Sequence, residues 1–309
     1  MRLIFMGSPQ LAVPSLRAVA EAGELAAVIT QPPRGKGRGR KVTPSAVALE
    51  CGRMGIEPAT PDSLGTPEFQ DWLRELHPDL VVVVAYGKIL PSSVLKIPRL
   101  GCVNVHTSLL PRLRGAAPIQ WAIAGGARET GITLMQMDEG MDTGPILLQK
   151  KTGIGPEETA DILAGRLSIL AAGILREGIP SLERGELTPV PQDDSLATYA
   201  PILRREDGRI DWSMEARQIA NRVHGFSPWP GTYSTLAGKR ILITSALALP
   251  APLGGKPGEV LSAGDGKMDI ACGKGTLRIL TLKPEGKREM TASEFLAGYR
   301  LAEGNRFGE

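Results

Sequence analysis

The fold is decided by the stretch NVHTSLLPRLRG, residues 104–115, together with MDEGMDTGP, residues 137–145. The first stretch follows a short apolar run, which is typical of a buried parallel strand. Side chains in a strand alternate between its two faces, so Asn104 and His106 project to the same side. Open α/β sheets bind their ligands at strand ends. We therefore predict that Asn104, His106 and Asp142 converge there.

The pattern of apolar residues around these stretches predicts an α/β protein. Alternating strands and helices predict a Rossmann-like, mostly parallel sheet domain. Short strands separated by glycine turns near the C-terminus predict a small OB-like β-barrel domain. We expect a catalytic domain at 1–190, a linker rich in proline and polar residues at 191–204, and the barrel at 205–309.

Three local predictions are specific. Ser8 is expected to cap a helix that runs to about Ala22. Apolar spacing predicts another helix over 156–176. The segment 32–41 contains three glycines and two prolines, and it is expected to be an irregular, mobile loop.

Composition limits the class of protein. The chain has 309 residues, of which 42% are hydrophobic, enough for two domains with cores. Its apolar runs are shorter than the roughly 20 residues of a membrane span, and Met1–Gly7 is expected to be a first strand rather than a signal peptide. Cys51, Cys102 and Cys272 show neither metal-ligand nor disulfide spacing. We expect no metal site and a reducing cytoplasm.

Positive charge is concentrated in two places, although the net charge is only +3. Residues 204–309 hold 16 basic and 12 acidic side chains. Five basic residues lie close together in the glycine-rich segment: Arg34, Lys36, Arg38, Arg40 and Lys41. Such a charge run is often only a solvated surface loop. Here it leaves the same predicted sheet that carries His106, which favours contact with the phosphates of a nucleic acid.

The two quoted stretches resemble the formyltransferases that use 10-formyltetrahydrofolate. These enzymes share Asn-x-His-x-Ser-Leu-Leu-Pro-x-x-x-Gly and, downstream, Met-Asp-x-Gly-x-Asp-x-Gly-Pro. The resemblance extends over nearly the whole chain, through the basic segment, residues 229–231 and residues 290–298. It is greatest to the members that act on methionyl-tRNA. The resemblance implies that 10-formyltetrahydrofolate, without a metal ion, donates its formyl group to the α-amine of initiator methionyl-tRNA.

The resemblance also implies which residues form the site. The expected catalytic set is Asn104, His106 and Asp142, acting as oxyanion donor, proton-transfer group and paired carboxylate. The expected folate contacts are Ser108, Leu109, Leu110, Pro111, Ala85, Tyr86, Gly87, Met137 and Asp138. The expected tRNA contacts are the five basic residues of the glycine-rich segment and Arg114. Asp138 has a structural alternative, which is to form a turn around Gly140.

Other functions remain open. A 10-formyltetrahydrofolate hydrolase and a sugar-amine formyltransferase would use the same three catalytic residues, but neither explains the basic segment. A non-catalytic RNA-binding protein would not need the intact Asn, His and Asp set. We expect a cytoplasmic protein with no membrane association and no obligate protein partner. We expect it to be a monomer, because no large exposed apolar stripe is evident.

Overall fold

The computed structural model describes residues 1–36, 41–249 and 254–309. These residues form two compact units. The first unit consists of Met1–Pro118, Glu129–Gly153 and Ala164–Pro201. The second unit consists of Ile119–Arg128, Ile154–Leu163 and Ile202–Glu309. The first carries a mostly parallel sheet and the second an antiparallel sheet, as the fold class predicted from sequence requires.

The larger elements of the N-terminal part alternate between strands and helices. The strands are β1 Arg2–Gly7, β2 Glu24–Ile29, β3 Arg34–Lys36, β4 Lys41–Thr43, β5 Leu80–Val84, β6 Cys102–His106, β7 Glu129–Gln136 and β8 Ile146–Gly153. The helices are α1 Val13–Ala22, α2 Ala46–Met54, α3 Pro67–Glu75, α4 Ser92–Leu95, α5 Pro118–Ala124 and α6 Ala160–Glu183. In the described residues, no helix has both the length and the apolar character needed to span a bilayer.

The main sheet has the strand order β2-β1-β5-β6-β7-β8. The first four strands are parallel, whereas β7 and β8 are antiparallel to their neighbours. The chain builds β2 on one side of β1 and then β5 on the other. The carboxyl ends of β1 and β5 are therefore a switch point, where open α/β sheets bind ligands.

The central strand of the sheet, β5, is wholly buried. β5 is the continuous run of leucine and valine that this position favours. Side chains of alternate residues face one side, where Ile4 and Met6 of β1 pack with Val81 and Val83 of β5 and with Phe69 of α3. This packing fixes the strand ends that carry polar side chains.

The second unit contains the antiparallel strands. Its remaining elements are α7 Ala216–Gly225, β9 Thr232–Leu236, β10 Lys239–Leu249, β11 Val260–Gly264, β12 Lys267–Ala271, β13 Thr276–Pro284, β14 Met290–Thr291 and α8 Ala292–Gly298. The sheet order is β11-β12-β13-β10-β9, with β14 paired to β13. The C-terminal segment bridges both edges, because Phe307 pairs with Leu236 and Arg306 pairs with Glu259. The edges are thereby joined in a barrel-like arrangement.

The prediction that Ser8 caps the first helix is wrong. A 3₁₀ turn at Gln10–Ala12 precedes α1, and no side-chain hydrogen bond caps either element. The Ser8 hydroxyl instead accepts from the backbone N–H of Gln31 at 3.2 Å and lies 3.4 Å from the Tyr86 carbonyl, to which it donates. Ser8 therefore links the segments that follow β1, β2 and β5.

The prediction of an irregular loop over 32–41 is wrong at both ends of the basic segment. Arg34–Lys36 and Lys41–Thr43 pair as the antiparallel strands β3 and β4. Pairing satisfies backbone groups that an irregular loop would leave to water. Arg38 and Arg40 lie outside the described residues.

Helix α6 differs from its predicted range. It begins at Ala160 and ends at Glu183, continuing through Pro180. A proline inside a helix removes one backbone hydrogen bond. Leu175 and Ile179 are completely buried, so tertiary packing stabilises the additional turns that local propensity disfavours.

Candidate active site

The structure brings Asn104, His106 and Asp142 together beside the end of β6. Asn104 Nδ2 donates a long hydrogen bond of 3.5 Å to Asp142 Oδ1. His106 Nδ1 lies 3.6 Å from Asp142 Oδ2. Because β7 is antiparallel to β6, Asp142 does not arrive at the end of a neighbouring parallel strand. The loop 137–145 turns back and carries it to the other two side chains.

The imidazole ring of His106 is buried and oriented by a main-chain oxygen. Its Nε2 lies 2.9 Å from the carbonyl oxygen of Leu113. A carbonyl oxygen can only accept, so Nε2 carries a proton. Nδ1 then faces Asp142 at a distance within ion-pair range but longer than a normal hydrogen bond. Nδ1 is therefore the ring nitrogen placed to exchange a proton beside a carboxylate.

Two residues of the site have a left-handed backbone conformation. Leu113 has φ of 59° and Asp142 has φ of 55°. This conformation costs about 1–2 kcal/mol for most side chains, although Asp and Asn adopt it more readily. The backbone N–H of Gly115 donates to Asp142 Oδ2 at 2.8 Å. Left-handed residues are retained at functional sites where the surroundings fix them.

The loop after β6 is fixed by a buried hydroxyl on β7. Thr133 Oγ1 donates to the Ser108 carbonyl at 2.7 Å and accepts from the Leu110 N–H at 3.1 Å. Gln149 Nε2 donates to Thr133 Oγ1 and to the Leu110 carbonyl, both at 2.9 Å. The Ser108 hydroxyl is itself buried and donates to the Arg112 carbonyl at 2.6 Å. These bonds hold the loop in one conformation.

We expect Thr133→Val to destabilise the protein by about 1–3 kcal/mol, because the buried Leu110 N–H would lose its acceptor. Valine preserves the shape of threonine, so the loss reports the hydrogen bonds rather than a cavity. The measurement is the free energy of unfolding in urea. Thr188→Val, at an exposed position, is the control. Equal stabilities of the two variants would contradict this account of the loop.

The predicted folate contacts at the end of β5 lie on a sharply turned segment. Ala85 has φ of 47° and Gly87 has φ of 80°, and both are exposed. Tyr86 between them is buried, and burial raises the pKa of its phenol to about 12. Its carbonyl accepts from Gln31 Nε2 at 3.0 Å. The segment thus offers backbone edges, while the Tyr86 ring belongs to the core.

The other predicted folate contacts differ in how exposed they are. Leu109 and Pro111 are half-buried, whereas Leu110 is buried. Met137 is half-buried and packs against the core. Asp138 Oδ1 accepts from the Gly140 N–H at 3.1 Å and from the Thr143 hydroxyl at 2.8 Å. The carboxylate of Asp138 therefore forms the turn that was its structural alternative.

Across the described ranges, no group of three or more His, Cys, Asp or Glu side chains is arranged to hold a metal ion.

Arg114 is not placed as a surface contact for phosphate. Only 3% of its side chain is exposed. Its Nη2 donates to Gln192 Oε1 at 2.8 Å and to Asp194 Oδ1 at 2.7 Å, and its Nε donates to the same Gln192 oxygen. This geometry does not support the predicted tRNA contact, because the guanidinium is already used inside the protein.

Sequence reasoning missed the residues that bond to Arg114. Gln192 and Asp194 lie in the segment predicted to be a linker, and Thr198 of the same segment accepts from the Leu113 N–H at 2.9 Å. The segment has no apolar periodicity, so hydrophobic patterning carries no signal for these contacts. The one available signal was Gln192 itself, because its amide can donate to one loop and accept from another.

Two family models match the chain. One describes a formyl transferase and matches residues 1–178. The other describes the C-terminal domain of a formyl transferase and matches residues 202–300. A methionyl-tRNA formyltransferase of Geobacter metallireducens is 49% identical over 307 residues, which cover 99% of this chain and 98% of that protein. One of Myxococcus xanthus is 48% identical over 305 residues, covering 99% and 97%.

Solved structures with low sequence identity share the fold. The sugar 3N-formyl transferase WlaRD, with dTDP and 5-N-formyl-THF present, has a TM-score of 0.68 at 17% identity, covering 93% of this chain and 99% of that one. HypX from Aquifex aeolicus in complex with tetrahydrofolic acid has a TM-score of 0.60 at 22% identity, covering 96% of this chain. The match spans about half of HypX, 47% of its chain.

Proposed function

The chain belongs to the methionyl-tRNA formyltransferase family, and we propose that it transfers the formyl group of 10-formyltetrahydrofolate to the α-amine of initiator methionyl-tRNA. One observation carries this proposal. Beside the end of β6, the Asp142 carboxylate lies 3.5 Å from Asn104 Nδ2 and 3.6 Å from His106 Nδ1. Methionyl-tRNA as the acceptor is supported by the methionyl-tRNA formyltransferases that are 48–49% identical over nearly the full chain.

The reaction exchanges one carbon–nitrogen bond for another. The α-amine attacks the formyl carbon, the bond from that carbon to N10 of the folate breaks, and one proton moves from the amine to N10. Negative charge develops on the formyl oxygen during attack. The site must therefore supply a hydrogen-bond donor for the oxygen and groups that accept and return a proton.

Asn104 suits the role of oxyanion donor. Its amide nitrogen carries two hydrogens, and one is directed at Asp142 Oδ1. The second hydrogen can be given to the formyl oxygen, and the bond to Asp142 fixes the plane of the amide. Donors held in place before the reaction need no reorganisation when the charge develops.

His106 and Asp142 suit the transfer of the proton. The bond from Nε2 to the Leu113 carbonyl leaves Nδ1 as the exchanging atom of His106. Asp142 faces Nδ1 with Oδ2 and stabilises positive charge on the ring. We propose that this pair takes the proton of the attacking amine and delivers it to N10.

The two units divide the work in this proposal. The first unit carries the catalytic side chains and the turned segments 85–87 and 108–111, which would lie along the folate. The second unit and the basic segment would hold the tRNA, and the clustering of positive charge in the sequence supports this role.

Neutralising the basic segment is expected to weaken the binding of methionyl-tRNA without affecting the binding of the folate. Changing all five of its Arg and Lys residues to Gln should raise the KM for methionyl-tRNA about 10-fold or more and leave the KM for the folate unchanged. Each phosphate that the variant no longer neutralises should also reduce the slope of log affinity against log salt by about 0.7–0.9. Initial rates over a salt series measure both effects. Gln substitutions at exposed Arg74 and Lys151 are the control, and equal effects in both variants would refute the assignment.

The test of the proposed function is a comparison of acceptors. Labelled 10-formyltetrahydrofolate is supplied with methionyl-tRNA, free methionine, an amino sugar nucleotide or water alone. We expect product on methionyl-tRNA at a rate far above the others, decreasing with added salt. Release of formate without formylated tRNA would replace the proposal with a hydrolase, and product on the amino sugar with a sugar-amine formyltransferase.

A further inference from the structure

One segment outside the three catalytic residues bonds both to the loop that follows β6 and to the loop that carries Asp142. We call residues 190–200 the strap. At its start, Val190 and Ile146 exchange two backbone hydrogen bonds of 2.8 Å, which fix the strap to β8. At its end, the Arg114 N–H donates to the Thr198 carbonyl at 2.9 Å and the Ala200 N–H donates to the Arg114 carbonyl at 2.7 Å. The strap is thus attached to the start of β8 at one end and to the loop after β6 at the other.

Gln192 is the side chain of the strap that connects the two loops. Its Nε2 donates to the carbonyl oxygens of Asp142 at 2.8 Å and of Gly144 at 2.7 Å. Its Oε1 accepts from Arg114 Nη2 and Nε, at 2.8 and 3.1 Å. The orientation of the amide is unambiguous, because a guanidinium can only donate and a carbonyl can only accept.

The strap holds both left-handed residues of the site. The carbonyl of Asp142 accepts from Gln192, and the N–H of Leu113 donates to Thr198 Oγ1 at 2.9 Å. Leu113 in turn presents the carbonyl that orients His106. Each side of the His106–Asp142 pair is therefore fixed by one bond to the strap.

The close approach of the strap also explains the residue at position 115. Gly115 has φ of 116°, and a Cβ placed there would lie 2.8 Å from the Ala200 carbonyl oxygen. A side chain would push the strap away from the loop that carries Leu113. The glycine permits the contact and leaves its own N–H directed at Asp142.

We propose that Gln192 is a positioning residue for formyl transfer: by joining Arg114 to the loop of Asp142, it sets the separation between Asp142 and His106. The inference rests on the proposed function for its kinetic test. Gln192 bonds to Arg114 and to main-chain carbonyls rather than to the side chain of His106 or Asp142. Its loss should therefore alter the rate of the chemical step rather than the binding of either substrate. Misplacement of catalytic groups by about 1 Å costs on the order of 100-fold in rate.

The kinetic test uses Gln192→Met, which keeps the length of the side chain and removes its hydrogen bonds. We expect kcat for methionyl-tRNA to fall about 10- to 100-fold, with the KM of each substrate within twofold of the wild type. Gln192→Glu should lose as much, because it retains an acceptor for Arg114 but loses both donors. Gln70→Met is the matched control, since Gln70 is also half-buried and donates to one loop carbonyl, that of Gly65. A kcat within twofold of the wild type for either Gln192 variant would overturn the inference, as would a loss confined to KM.

A spectroscopic readout separates this inference from the proposed function. The chain has three histidines, so the ring ¹⁵N signals of His77, His106 and His224 can be assigned by single substitutions. Gln192→Met should shift the His106 signals and leave the other two in place. Unchanged His106 signals would overturn the positioning role even if activity were lost. Failure of the wild type to formylate methionyl-tRNA would refute the function but leave this readout decisive.

Discussion

Replacing His106 with alanine is expected to lower kcat by about 100- to 10,000-fold, the usual contribution of a positioned acid–base group. The ring is buried, its Nε2 is committed to the Leu113 carbonyl, and Nδ1 faces Asp142. Alanine removes the titratable group that lies between Asp142 and that carbonyl. The KM for each substrate should change little, because the ring acts on protons rather than on binding.

The measurement is single-turnover formylation of methionyl-tRNA with enzyme in excess. His77→Asn is the control, because His77 is exposed and has φ of 46°, a conformation that asparagine tolerates. The control should react at the wild-type rate. A His106→Ala variant that formylates within about fivefold of the wild type would remove His106 from the mechanism.

Replacing Asp142 with asparagine is expected to lower kcat by a similar factor, about 100- to 10,000-fold. This substitution preserves the backbone, because asparagine accepts the left-handed conformation that position 142 requires, φ of 55°. Its side-chain oxygen can still accept from the Gly115 N–H, as Oδ2 does now at 2.8 Å. The change removes the negative charge 3.6 Å from His106 Nδ1 and also the acceptor of the hydrogen bond from Asn104, because an amide nitrogen then stands in place of Oδ1.

The double variant decides whether the two residues act as a unit. If His106 and Asp142 move one proton together, removing both should cost little more than removing one, because effects within a catalytic unit are not additive. Additive losses would mean that each residue contributes separately. Melting temperatures near that of the wild type would show that the losses arise from chemistry.

Local patterns in the sequence were sufficient to predict most of the helices and strands. They also predicted where the polar residues at the strand ends lie. Asn104 and His106 are two residues apart in a strand, so alternation alone places them on one side. The continuous apolar run of β5 and the short strands of the second unit also match the structure. Each of these features depends on residues close together in the chain.

Long-range polar contacts could not be predicted in the same way. The direction of β7 is set by its pairing with β6, which places Asp142 on a returning loop. Arg114 was expected to contact tRNA, but Gln192 and Asp194, about 80 residues later, bond to it. Hydrogen bonds between distant segments leave no periodic pattern, so the strap has the composition of a linker.

The most direct test of the account is a single turnover of formyl-labelled 10-formyltetrahydrofolate with methionyl-tRNA, followed by identification of the atom that carries the label. The account predicts that nearly all label is on the α-amine of the methionyl group for the wild type, and that His106→Ala and Asp142→Asn slow its appearance by at least about 100-fold. Label released as formate by the wild type, or label on the amine at an undiminished rate in both variants, would contradict it.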